Sequence, residues 1–317
     1  MILTRVIDSA DAGKTVLSVL KNNFCLSTKL LRRLKVKNLI AVNGRSVYTN
    51  YILSENDVLT VTIEQTSVSS QNVLPESIPL DVLYEDDCFI AINKPHNMIV
   101  HPTNNHLTGT LANALAYKYL STRCSGESQD VCEDGVHPVS RLDRDTTGVA
   151  LFAKNSHIAH LFHEMHKKHS IEKEYVGIVT GIFVPPSGEI NLPIERAEGS
   201  IMLRRTSVSG KPALTLFKTA DVNESASASL VLFYPVTGRT HQIRLHAKEL
   251  GHPLLSDDLY GNEKRAEIIS RHALHSLSMK FSHPLTLEPI TICAPLPDDM
   301  IVATQKLGLN LDAIPRY

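Results

Sequence analysis

Residues 140–148 set Arg141, Asp143, Arg144 and Asp145 within a few positions of one another, just ahead of the apolar run at residues 149–153. Charge placed this way is ordinarily a solvated turn. Two features point instead to a site. Thr146, Thr147 and Gly148 supply hydroxyls and a permissive backbone, and apolar flanks would hold Asp143 at the edge of a buried sheet. An aspartate held there offers an ionised carboxylate, which can attack as a nucleophile or take up a proton. Burial works against such a charge, and a neighbouring guanidinium restores it.

Other chemistry-bearing residues give weaker patterns. Histidines recur at positions 157, 160, 163, 166 and 169. A three-residue step on a helix of about 3.6 residues per turn drifts by roughly 60° each time, so the five do not converge on one ion. His163-Glu164-Met165-His166 lacks the i, i+4 histidine spacing of H-E-x-x-H, and no metal is expected. His241 and His246 read as groove or packing residues rather than acid–base groups. Cysteines stand at 25, 88, 124, 132 and 293 without a C-x-x-C pair, which favours reduced thiols over a disulfide framework and makes the cytoplasm the default compartment.

The elements that must position these groups fall into two parts. Residues 1–66 read as a small α+β module: helices over 15–24 and 27–35, a strand at 39–45 entering the Asn43-Gly44 turn, and a second strand at 58–63. Leu30, Leu31 and Leu34 share one side of the second helix. Residues 67–79 form a Ser-, Asn- and Pro-bearing linker without periodicity. Residues 80–317 carry strands at 89–93, 149–153, 175–179, 213–220 and 229–234, with helices from Thr110 to about residue 120, over 156–168, and over 240–250, the last stopped by Gly251. Residues 121–135 read as a polar surface insert, and 285–292 as a terminal hairpin around Glu288-Pro289. The predicted fold is α+β with a mixed, largely antiparallel sheet, because helices and strands do not alternate strictly.

Arg141-Leu142-Asp143-Arg144-Asp145-Thr146-Thr147-Gly148 resembles the R-L-D-x-x-T-S/T-G signature of RluA-type RNA pseudouridine synthases. Three further stretches resemble that family in the same order. They are Lys94-Pro95-His96-Asn97-Met98-Ile99-Val100-His101-Pro102, Lys173-Glu174-Tyr175, and Gly238-Arg239-Thr240-His241-Gln242-Ile243-Arg244-Leu245-His246, the last continued by Asp257 through Tyr260-Gly261. The likeness spans roughly residues 80–295. Asn97 and Ser256 stand where the family has Gly, and Ser140 where it has His; Asn tolerates positive φ best among side-chain-bearing residues. The resemblance implies isomerisation of uridine to its C-glycoside, with Asp143 as the catalytic carboxylate. Tyr175, Arg244, Leu245 and Arg141 would bind the substrate nucleotide. Tyr175 would stack under the uracil and relay a proton, Leu245 would pack on the same ring, and Arg244 would be the guanidinium beside Asp143. Arg144 and Asp145 would contact RNA or form a loop salt bridge.

That reaction breaks the N1–C1′ bond, turns the base and rejoins it through C5. It leaves no group behind and oxidises nothing, so no cofactor is expected. The uridine must leave its stack, at a cost of a few kcal/mol that phosphate contacts offset. A formal net charge of −1 does not advertise a nucleic-acid partner, but Lys29, Arg32, Arg33, Lys35, Lys37 and Arg45 share a stretch free of acids. This stretch resembles part of an S4-like RNA-binding domain, which implies structured RNA as partner, ribosomal in preference to transfer RNA. A 43% hydrophobic, 21% charged composition fits a soluble globular chain. No apolar run reaches the roughly 18–20 residues of a membrane span, no signal peptide is expected, and a monomer is. A non-catalytic RNA-binding or ribosome-assembly factor of the same fold is the alternative, and modification mapping with Asp143 replaced separates the two.

Overall fold

The computed structural model describes residues 1–63, 73–103, 105–124, 136–200, 202–261 and 265–315. The first segment begins with β1 (Ile2–Val6), an edge strand absent from the sequence-based expectation, and continues through α1 (Val16–Asn22) and α2 (Thr28–Val36). Thr15 and Ser27 start these helices by accepting the Ser18 and Leu30 N–H groups on their hydroxyls. Strands β2 (Ile40–Val42), β3 (Arg45–Ser46) and β4 (Val58–Thr62) complete an antiparallel sheet of order β1-β4-β2-β3. Asn43 and Gly44 both take positive φ, 50° and 77°, as a two-residue hairpin requires. Leu30, Leu31 and Leu34 bury against Val16, Leu20, Ile40, Leu59 and Val61, giving this segment a core of its own.

The remaining chain builds a ten-stranded mixed sheet. Its elements in chain order are β5 (Val82–Glu85), β6 (Phe89–Lys94), α3 (Leu111–Cys124), β7 (His137–Pro138), β8 (Thr147–Ala153), α4 (Ser156–Lys167) and β9 (Glu172–Thr180). Then come β10 (Ser187–Asn191), β11 (Ile194–Arg196), β12 (Arg204–Thr206), β13 (Leu214–Asn223), β14 (Ala228–Pro235), α5 (Gln242–Glu249), β15 (Leu274–Ser282), β16 (Pro289–Cys293) and α6 (Asp298–Lys306). The sheet order is β10-β13-β14-β9-β15-β8-β6-β5, with β16 on β15 and β7 on β8; β11 and β12 form a separate ribbon.

Period-two alternation sorts the side chains into two faces. Ile90, Ile92, Ala150, Phe152, Tyr175 and Phe233 face the α3 and α5 side, where Leu111, Leu115, Ile243 and Ala247 cover them. Phe89, Ala91, Val149 and Leu151 face the other way onto Ile158 and Phe162 of α4. Val176, Ile178, Leu230 and Leu232 share that second face and meet Met300, Ala303 and Leu307 of α6. Helices on both faces explain why β8 is buried along its whole length.

Three boundary expectations change. Helix α3 runs through residues 121–124, which the sequence pattern assigns to the polar insert; residues 125–135, including Cys132, lie outside the described part, as do residues 64–66 and 67–72, the latter the first part of the linker. The last hairpin joins β15 to β16 through residues 283–288, so Pro289 opens a strand instead of sitting in the turn. It is not terminal, because α6 follows.

Among the named strand pairs, β8 and β15 are parallel and all others antiparallel. This has one local effect. The N-terminal ends of β8 and β15 lie side by side, and the C-terminal end of β6 reaches the same place, with Lys94 opposite Gly148 and Ser276 opposite Gly148 on the other side. Gly148 is obligatory here. Its φ is +102°, and a Cβ would sit 2.1 Å from the Ser276 carbonyl oxygen.

Candidate active site

Three segments distant in sequence converge at that corner: residues 94–98, 143–147 and 271–276. Lys94 is fully buried, and its three ammonium protons go to the carbonyls of Pro95 (2.8 Å), Met98 (2.7 Å) and Arg144 (2.8 Å). Burial pushes its pKa down to about 7. Asn97, at φ 57°, donates its backbone N–H to the Asp145 carboxylate at 3.0 Å; among the described residues this, and not a loop salt bridge, is where the Asp145 side chain is engaged. Arg271 donates to the Asp145 carbonyl (2.9 Å) while its guanidinium grips Asp299 at 2.7 and 3.0 Å. Thr146 and Thr147 place their hydroxyls against His272 (2.8 Å) and His275 (2.9 Å). Burial drives His272 well below the ordinary imidazole range and His275 down to about 4, so both are neutral partners.

The loop held in this way presents Asp143, whose side chain is 23% exposed. Arg244 Nη1 lies 3.4 Å from its Oδ2, and His241 Nε2 lies 3.9 Å from its Oδ1. Helix α5 and the residue that caps it carry these two groups. Gln242 anchors the start of α5 by accepting the Arg239 N–H (2.9 Å) and the Thr237 hydroxyl (2.8 Å), while its amide donates to Leu214 and Thr215. At its other end Gly251 takes φ +84°, as expected of the residue after the helix cap.

Arg244 divides its charge unequally. Its Nε and Nη2 hold the fully buried Asp257 at 2.8 and 2.6 Å, Nη2 also reaches the exposed Asp258 at 2.9 Å, and the 3.4 Å contact to Asp143 is the longest. Burial works against the Asp257 charge, yet the Arg244 hydrogen bonds hold that carboxyl below its usual range. Burial likewise opposes the Arg244 charge, and Asp257, Asp143 and Asp258 together raise its pKa.

Tyr175 projects from β9 next to this group, buried to 8% exposure. Burial pushes its phenol up to about 12, and the Asp143 charge adds to the rise, so the hydroxyl stays protonated at neutral pH. Leu245 is buried too, but in a cluster with Ile194, Ala213 and Tyr260 that is separate from the cluster of Tyr175. Adjacent residues on a helix point about 100° apart, so Leu245 and Arg244 leave α5 in different directions, and Arg244 takes that of Asp143. Arg141 is exposed two residues before Asp143.

The sequence reading leaves Lys94, Arg271, His272, Tyr260 and Asp258 without roles. A signal is present for some of them: Arg271-His272-Ala273-Leu274-His275 gathers three basic residues within five positions at the start of β15. Ser256 does adopt φ 57°, the backbone that glycine would favour. His246 is a packing residue, bonded to Thr215 (2.9 Å) and the Leu192 carbonyl (3.0 Å). The histidines diverge, with His157 buried and His163 exposed on α4 and His169 exposed beyond its end. Elsewhere Asp86, Cys88 and His283 bring potential ligand atoms within 4.8 Å of one another at the far end of β6. Asp86 and His283 are already engaged: Asp86 Oδ1 accepts the Cys88 and Phe89 N–H groups, Asp86 Oδ2 accepts the Tyr84 hydroxyl and lies 3.2 Å from His283 Nε2, and His283 Nδ1 accepts the N–H groups of Leu285 and Thr286.

Comparison with known proteins agrees with this geometry. A family model described as RNA pseudouridylate synthase matches residues 88–249, which span the Asp143 loop, Tyr175 and Arg244. The Bacillus subtilis (strain 168) protein named as an uncharacterized RNA pseudouridine synthase, YhcT, is 37% identical over 93% of this chain and 94% of its own length. The ribosomal large subunit pseudouridine synthase D of Vibrio parahaemolyticus is 32% identical over 97% of this chain and 95% of its own. The solved structure of human RNA pseudouridylate synthase domain containing 1 superposes with a TM-score of 0.55 at 25% identity, covering 70% of this chain and 85% of that one. A relative at that identity along nearly the whole chain leaves no second candidate: the chain belongs to the RNA pseudouridylate synthase family.

Proposed function

We propose that this RNA pseudouridine synthase isomerises uridines in structured RNA with Asp143 as its catalytic carboxylate. The observation that carries the assignment is a carboxylate at the surface of a buried corner, with a guanidinium on one oxygen and an imidazole facing the other. Asp143 attacks C1′ or removes the C2′ proton; either route breaks N1–C1′ and leaves the uracil free to turn. C5 then bonds to C1′ as the Asp143–C1′ bond breaks, or as Asp143 returns the proton to C2′; the proton lost from C5 is balanced by one gained at N1. Tyr175 enters as a protonated phenol. It serves as a relay by accepting the C5 proton while surrendering its own, and does not act as a standing base. Arg244 neutralises one oxygen of Asp143, and Arg141, exposed beside the loop, meets the nucleotide.

Residues 1–66 act as an S4-like RNA-binding domain, 67–79 as a linker and 80–317 as the catalytic domain. Lys29, Arg32, Lys35, Lys37 and Arg45 are exposed and suited to phosphates, while Arg33 is half-buried. Ribosomal RNA is the favoured substrate; a relative named for the large ribosomal subunit supports this. The protein works as a monomer in the cytoplasm. Among the described residues no helix is long and apolar enough to cross a membrane. The decisive experiment maps pseudouridine in ribosomal and transfer RNA from cells carrying Asp143→Asn in place of the native gene. Loss of specific sites is expected. Retention of every site in a strain without a redundant enzyme removes the catalytic reading and leaves an RNA-binding factor.

A further inference from the structure

Arg244 is a poor sole partner for Asp143. It serves three carboxylates and spends its two shortest bonds on Asp257. The other Asp143 oxygen faces His241, which sits at φ 57° just ahead of α5 with its side chain 13% exposed. Which ring nitrogen of His241 carries hydrogen decides whether this contact attracts or repels.

Both ends of the imidazole select the same tautomer. At one end, Tyr260 Oη accepts the Arg204 backbone N–H at 3.0 Å and lies 2.9 Å from His241 Nδ1. At the other, Nε2 faces the Asp143 carboxylate at 3.9 Å. A lone pair on Nε2 would point at negative charge, whereas an N–H there is attracted to it. The hydrogen therefore belongs on Nε2, and Tyr260 donates its hydroxyl proton to Nδ1. The Tyr260 ring is held in turn by the Arg244 guanidinium, 5.4 Å from its centroid.

We propose that His241 is a positioning residue, fixed by Tyr260 as the Nε2–H tautomer, whose N–H aligns the Asp143 carboxylate against the nucleotide. With Arg244 on Oδ2 and His241 on Oδ1, both oxygens and hence the plane of the carboxylate are set. The 3.9 Å separation needs to close by about 1 Å to become a hydrogen bond, and such pairings tighten when substrate binds. Burial lowers the His241 pKa, Asp143 opposes the shift, and Arg244 and Arg204 add to it, so the donor is a neutral imidazole. This role rests on the reading of Asp143 as the reactive carboxylate.

The test is tritium release from bulk RNA labelled with 5-tritiated uridine, taken from cells lacking the gene, with variants checked for native circular dichroism. His241→Ala is expected to lower kcat roughly 10- to 100-fold, the scale of a misplaced reacting group, with KM within about twofold. His241→Gln restores most of that loss, since its amide N–H overlays Nε2–H. Tyr260→Phe, which keeps the ring under Arg244, falls between the two because the imidazole is no longer held in one tautomer; it serves as the test if His241→Ala does not fold. Unchanged kcat in both His241→Ala and Tyr260→Phe, a rise in KM alone, or Gln performing no better than Ala overturns the proposal. Asp143→Asn run alongside separates the two claims. An inactive Asp143→Asn with a fully active His241→Ala defeats the inference only, whereas an active Asp143→Asn defeats the catalytic reading beneath it.

Discussion

At the scale of single residues, the site works by placing charges where few partners are left over. Asp257 is fully buried and depends on Arg244, so Arg244→Leu strands a carboxylate. Loss of about 3–5 kcal/mol in stability is expected on urea unfolding, together with turnover falling more than RNA affinity. Arg244→Lys keeps the charge but cannot reproduce the two-nitrogen grip, and is expected to recover only part of either. Lys94→Met leaves three carbonyls without their donor and is expected to cost about 2–4 kcal/mol. Its pH dependence has a definite sign. The ordinary lysine value is 10.5 and that of Lys94 is about 7, so the unfolded chain holds more protons between these values. The Lys94 contribution is therefore fully present above 10.5 and is lost as pH falls towards 7, and the advantage of the native protein over Lys94→Met widens as pH rises. A flat difference between pH 7 and 10 contradicts this. Asp143, Tyr175 and Arg244 are legible in the sequence because each sits in a motif with fixed neighbours. Lys94 and Tyr260 also lie in such motifs, but their roles, like that of Arg271, are not legible, because they come from partners 50, 56 and 126 positions away.

At the scale of elements, legibility follows apolar periodicity. Strands β6, β8 and β14 are runs of buried apolar residues and stand out. Strand β15 does not, since Leu274-His275-Ser276-Leu277-Ser278 buries polar residues that find partners only in the folded sheet. The edge strands β1 and β5 are short and largely exposed, so local pattern gives them little definition. The join between β8 and β15 is the element pairing most sensitive to change. Gly148→Ala adds a Cβ 2.1 Å from the Ser276 oxygen at a φ of +102°, and neither the backbone atom nor the dihedral can yield cheaply. Destabilisation of several kcal/mol is expected, with the Asp143 loop losing order first. Faster proteolytic cleavage near residues 141–146 than in the native protein checks this, and equal cleavage counts against it.

At the scale of the whole molecule there are two cores of different sizes. The N-terminal segment carries an acid-free basic stretch with most of its cations exposed, while the large sheet carries the corner where Asp143 meets Arg244. Removing residues 1–66 is expected to weaken RNA affinity and flatten its salt dependence, the log–log slope shrinking by about 0.7–0.9 for each phosphate no longer neutralised. Turnover on short RNA loops is expected to persist. An unchanged slope by filter binding across a salt series speaks against the basic stretch as a phosphate surface.

The parallel pairing of β8 with β15 also sets a timetable. The Asp143 loop is braced by Arg271, His272 and His275, and Arg271 is itself anchored by Asp299. A chain emerging from the ribosome must therefore extend past residue 299 before this bracing is complete. Until then only the Lys94 and Asn97 contacts hold the Asp143 loop, and its bracing from the β15 side is missing.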